Sequence, residues 1–302
     1  MKRHLALYAT ATRYDLAENT RNTFAMLLVV AFVPTWITLI YLNITHKAVP
    51  LHLDATGEWI APAGNRFSQI TGALNAVTLI TGFMMFAATF KSGGFDRRLV
   101  MAGYPRAHLV LAKTTSLALA SAAVAVYATA VISVTSPPEQ PFQLAAALFG
   151  AALTYGAIGV IYGSLLRREV EGMFAMIMTG VVDVGLQNPL ASPGGARSLM
   201  RLLPSYGAVQ SSTASCFSTQ ATPGYLALQF LWFAAAALVS LLTFRHRTRT
   251  AHRADRSLNW AARAAGDTAR PPAGGREGAK ATFDSRGRSE PHGPIVETPV
   301  KS

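Results

Sequence analysis

The chain has 302 residues, 51% of them hydrophobic and 14% charged, with a formal net charge of +12. Such apolarity with so few charges excludes an ordinary soluble domain and indicates an integral membrane protein. The basic residues sit at the ends of apolar segments and in the tail, which is the positive-inside bias, so no nucleic-acid partner is expected. One cysteine, Cys216, excludes an internal disulfide or a multi-cysteine zinc site.

In chain order, residues 1–23 form a leader. Leu5, Tyr8, Ala9, Thr12 and Leu16 recur at helical spacing, and Lys2, Arg3, Arg13 and Arg21 supply charge. This fits an interfacial helix or a disordered basic leader. No cleavable signal peptide is expected, because the first apolar run starts late and lacks a small-residue cleavage site. A first span is expected over Phe24 to Leu42, close to the roughly 20 residues that cross a bilayer, with Pro34 kinking it. Asn43 to Ile70 reads as a polar outer loop. A second span covers Thr71 to Phe90 and delivers the chain to a polar island, Lys91 to Lys113. Five cations (Lys91, Arg97, Arg98, Arg106, Lys113) face one carboxylate, Asp96, which places the island in the cytoplasm. Ser92-Gly93-Gly94 is expected to break the helix and start a small amphipathic one with Phe95, Leu99 and Ala102 on one face, ended by Pro105. An ordinary orientation-setting loop is the plainer reading.

A third span is expected over Ala107 to Val134, then a Pro-rich outer turn, then a fourth span over Phe142 to Leu166. Gly159 and Gly163 in that span, with Gly156 nearby, form a G-x-x-x-G pair suited to dimerisation or to packing within one bundle. A short inner turn, Arg167 to Gly172, leads to a fifth span over Met173 to Leu190. It carries Asp183, with Gln187 and Asn188 one turn on. A carboxylate at membrane depth costs on the order of 2.5–3.5 kcal/mol and marks a possible intramembrane polar site. Alternatively Asp183 lies near the outer boundary and is already wet. Ala191 to Thr222 reads as a re-entrant or surface-lying helical hairpin, and Gly224 to Phe244 as the last span. Residues 245–302 are polar and basic and cannot bury enough surface to fold alone. Of the 27 Lys and Arg, 23 fall on inner segments and 4 on outer loops. The expected fold is therefore an all-α integral membrane protein with six transmembrane helices over 24–244 and both termini cytoplasmic.

The chemistry is sparse. No H-E-x-x-H, G-x-S-x-G or GxxxxGK[ST] motif occurs, so neither a metal site, a catalytic centre nor a nucleotide-binding loop is expected in this chain. An ion-coupled carrier would show more buried ionisable groups.

Three features resemble the permease subunits of type-2 ATP-binding-cassette transporters: the basic leader, the inner segment Phe95-Asp96-Arg97-Arg98-Leu99-Val100-Met101-Ala102-Gly103-Tyr104-Pro105-Arg106, and the Pro-punctuated outer segment from Asn188-Pro189 to Leu202-Leu203-Pro204-Ser205. The resemblance covers about residues 1–245. It implies an export permease in the cell membrane, working as a homo- or heterodimer on a separate ATPase subunit. That ATPase would hold the ATP and Mg, with no cofactor in this chain. It further implies that Phe95, Leu99 and Tyr104 fill a groove on the ATPase, that Asp96, Arg97 and Arg98 form rim charge pairs, and that Arg106 is the basic residue following the coupling helix. Gly103 is expected at a close approach or a left-handed turn. The alternatives are a stand-alone membrane enzyme and a non-transporting membrane partner, such as an immunity or signalling protein. An adjacent gene for an ATPase would favour the permease.

Overall fold

A computed structural model describes residues 2–21, 23–187 and 200–243. The expected tail over 245–302, Asn188 and most of the Pro-punctuated outer segment lie outside the described residues. The described chain is mainly helical: α1 (Lys2–Arg21), α2 (Thr23–Leu27), a π-helical turn (Leu28–Phe32), α3 (Val33–Asn43), α4 (Gly64–Met101), α5 (Arg106–Thr135), α6 (Pro141–Leu165), α7 (Glu169–Leu186), α8 (Tyr206–Phe217) and α9 (Pro223–Thr243). By length and composition, four of these helices can cross a membrane: α4 over Gly64–Phe95, α5 over His108–Thr135, α6 and α9. The apolar run Val29–Asn43 is shorter. Helix α7 occupies the place of the fifth expected span but carries Glu169, Glu171 and Asp183 along its 18 residues.

The expected kink at Pro34 corresponds to the π turn just before it. Proline has no N–H to offer the carbonyl of Val30 four residues back. The Tyr127 hydroxyl on α5 donates to that carbonyl at 3.1 Å and replaces the missing partner.

Helix α4 is the central element and packs on α3, α5, α6 and α7. Its closest neighbour is α6, and glycines set that approach. A Cβ at Gly159 would lie 2.3 Å from the Gly82 carbonyl oxygen, and one at Gly163 2.8 Å from that of Phe86. The G-x-x-x-G pair therefore serves packing within the bundle, where small residues let backbones meet. A core of Val33, Ile37, Leu74, Val77, Ala128, Ile132, Leu144 and Leu148 joins α3, α4, α5 and α6.

Two expectations need correction. Ser92-Gly93-Gly94 does not break the helix: α4 is continuous for 38 residues. Glycine inside a helix costs roughly 1 kcal/mol relative to alanine but stops nothing by itself. The stop comes at Gly103, whose φ of 87° is left-handed. The expected small coupling helix is thus the last turns of α4. The loop between α3 and α4 forms a small feature of its own, a hairpin with Leu51–Leu53 paired antiparallel with Glu58–Ile60 and Gly57 at φ 71° in the turn. Second, of the re-entrant and surface-lying readings of Ala191 to Thr222, the surface-lying one fails for α8, since Tyr206 to Cys216 is buried but for Gln210, which is partly covered. A Cβ on Gly207 would meet the Tyr225 carbonyl oxygen at 2.5 Å, which is why glycine stands there.

Candidate functional site

The end of α4 is built by its sequence. The Tyr104 N–H donates to the Leu99 carbonyl at 3.0 Å, and Gly103 supplies the left-handed residue between them. This is the Schellman arrangement that closes helices. Nothing stands within 4 Å of a Cβ built on Gly103. Of the two expected reasons for Gly103, the left-handed turn holds and the close approach does not. Pro105 follows in an extended conformation and caps α5.

Helix α1 lies along the start of α5, where the Tyr8 and Thr115 hydroxyls bond at 2.6 Å. Between α1, the end of α4 and the start of α5 runs a cleft of about 790 Å³. Phe95, Leu99 and Tyr104 all line it, so the structure brings together the three apolar residues of the expected coupling face. Phe95 is 64% exposed. Arg98 is exposed on the same helix. The backbones of Asp96 and Arg97 belong to α4 and that of Arg106 opens α5, while their side chains lie outside the described set. Lys113 donates to the buried Ser92 hydroxyl at 2.8 Å and ties α5 to α4 below the cleft.

Asp183 is nowhere near the coupling end. It is 2% exposed, so it is not the wet boundary residue that one reading expected. Its carboxylate collects donors from three other positions: the Tyr155 hydroxyl, Gln187 Nε2 at 2.8 Å and the Ser205 N–H at 3.1 Å. Gln187 Nε2 also reaches Ser205 Oγ at 2.9 Å. The group joins α6, α7 and the entry to α8, and satisfies a buried carboxylate with neutral donors. Chemically it is an anchor between these three elements.

Two polar clusters carry no motif that sequence could flag. Gln229 on α9 is fully buried, donating to Thr154 Oγ1 at 2.8 Å and accepting from the Ala208 N–H at 3.0 Å. It fastens α9 to α6 and α8. Asp54, beside the outer hairpin, accepts from Tyr206 at 2.7 Å, pairs with His52 at 3.0 Å and lies 3.8 Å from Arg201. Burial raises the Asp54 carboxyl, but the hydrogen bonds from Tyr206 and His52 and the charge of Arg201 outweigh it and hold the group below its usual range. Only the partnership across more than 150 residues gives Asp54 its role, and one-dimensional spacing carries no trace of it. Among the described residues no group of three or more His, Cys, Asp or Glu could hold a metal ion.

The chain matches no protein-family model, and no curated protein matches it.

Proposed function

We propose that the chain is the membrane-spanning subunit of a type-2 ATP-binding-cassette exporter, driven by a separate ATPase that binds ATP and Mg. In this reading α2 with α3, and α7, complete six spans, α1 rides on the inner interface, α8 re-enters from outside, and both termini are cytoplasmic. Two such permeases, alike or different, would enclose the path. The observation that carries the reading is the inner end of α4. At 1.5 Å per residue its 38 residues run about 57 Å, against a bilayer of roughly 40–45 Å with headgroups included. Met101 lies six residues past Phe95, where the apolar stretch ends, roughly 9 Å along the helix, and is still 56% exposed. An apolar tip carrying Phe95 and Met101, flanked by cations and standing at or beyond the headgroups, suits a protein partner better than lipid tails. Closure of the ATPase pair would push on this end, and the continuous α4 would transmit the push to its packed neighbours without a hinge.

Affinity purification of the tagged full chain in mild detergent tests this: an ATPase with a nucleotide-binding loop should accompany it. Leu99→Asp should insert normally and lose that partner, because a charge in an apolar groove is costly. Unchanged ATPase retention and substrate-dependent turnover in that variant would refute the docking assignment. Purification without any ATPase would favour a non-transporting membrane partner.

A further inference from the structure

The cleft beside the end of α4 has a composition that protein docking alone does not use. Its floor is made by Ala87, Ala88, Leu109 and Ala112. The first two lie within the membrane-length apolar stretch of α4 and the last two within that of α5. Among the described side chains, Arg21, Lys91 and Lys113 also line it, with one carboxylate, Asp15. Lys113 is held in place by its bond to buried Ser92. The cleft thus joins apolar walls at the level of the spans to a net positive lining where the spans end. A soluble anion would leave those walls wet, and a neutral lipid would offer no charge to Arg21 and Lys91. The ligand that satisfies both is an anionic amphiphile, and basic pockets between membrane helices take such headgroups.

We propose that this cleft holds one anionic glycerophospholipid from the adjoining leaflet, with its phosphate among Arg21, Lys91 and Lys113 and its upper acyl chain over Ala87, Ala88 and Leu109. The lipid would wedge α1 against α4 and α5. This rests on membrane insertion and not on the transport reading, so either can fail without the other.

The test uses the full chain reconstituted in nanodiscs of mixed phosphatidylglycerol and phosphatidylcholine, then released into detergent and weighed by native mass spectrometry. The wild type should retain one phosphatidylglycerol in preference to phosphatidylcholine. Arg21→Gln with Lys91→Gln should lower that retention roughly tenfold or more. Arg167→Gln, on the exposed turn before α7 and outside the cleft, should leave it unchanged. Ala87→Phe should also expel the lipid, with no change of charge, and its native elution volume and circular dichroism would show that the fold survives. Equal retention of the two lipids would overturn the proposal, as would equal losses in Arg167→Gln and the double variant. Displacement of the lipid by millimolar inorganic phosphate would overturn it too, by assigning the cations to a soluble anion.

Discussion

Gly103 and Asp183 show how single residues hold this molecule. A side chain on Gly103 meets open space, so the cost of replacing it lies in the backbone. Forcing an L residue into a left-handed conformation costs roughly 1–2 kcal/mol, less for asparagine. We expect Gly103→Val to lower the thermal midpoint in detergent and Gly103→Asn to stay close to wild type; equal behaviour would contradict the left-handed argument. At Asp183 the buried Gln187 Oε1 has no partner among the described residues. Asp183→Asn can therefore be rescued by a flip of the Gln187 amide, which presents that oxygen to the new Asn amide. Asp183→Leu strands the Tyr155 hydroxyl and the Ser205 N–H, at about 1–3 kcal/mol each, while the Gln187 amide keeps its bond to Ser205 Oγ. Thermal unfolding should separate the two variants widely, and similar losses would rule out the flip. Asp54 behaves differently because its carboxyl is lowered in the folded state. Its contribution is complete above the unfolded value of about 3.9 and is lost as pH falls through the lower folded value. Hydrogen exchange of the hairpin amides, compared with Asp54→Asn at each pH, should show a difference at pH 5–8 that disappears in stronger acid. A difference that stays the same at every pH would contradict this.

At the level of elements, the contact between α4 and α6 makes a graded prediction. Gly159→Ala drives a methyl into the backbone oxygen of Gly82, whereas Gly156→Ala meets the tip of the Leu117 side chain at 2.2 Å. A side-chain tip can move and a helix backbone cannot, so Gly159→Ala should cost roughly 1–3 kcal/mol and Gly156→Ala less. Equal thermal midpoints would place the helices farther apart than described. The long apolar runs over α4, α5, α6 and α9 were legible in the sequence to within a residue or two at most ends, because apolar length is a local property. The upper end of α4 was not: it begins at Gly64, and Asn65, Arg66 and Gln69 in its first turns read as loop. Arg66 and Gln69 find partners at Ser136 and Thr135, across the bundle. The Ser92-Gly93-Gly94 stretch misled because glycine composition does not reveal which glycine takes positive φ. Of the candidate site, helical spacing placed Phe95 and Leu99 on one face, and both line the cleft; Tyr104 came only from the family resemblance. The covering of that face by α1, and the tie from Lys113 to Ser92, depend on contacts that only the fold creates.

For the whole molecule, the helices alternate in direction. The hairpin, the start of α4, the turn from α5 to α6, and α8 gather at one end, tied by Gln140 to the Ser218 and Gln220 carbonyls and by Gln143 to Thr222. The end of α4 and α1 gather at the other, with Lys91, Arg98 and Lys113 among its described cations. Hydrogen bonds between elements concentrate at the first end, and the cleft opens at the second. The central claim, that this open end lies in the cytoplasm against an ATPase, is tested most directly by a photo-crosslinking amino acid at position 95 in intact cells. The account predicts a crosslink to a protein with a nucleotide-binding loop, lost when Leu99→Asp is added. Labelling of position 95 by a reagent that cannot cross the membrane from outside, or crosslinking only to lipid with no ATPase captured, would contradict it.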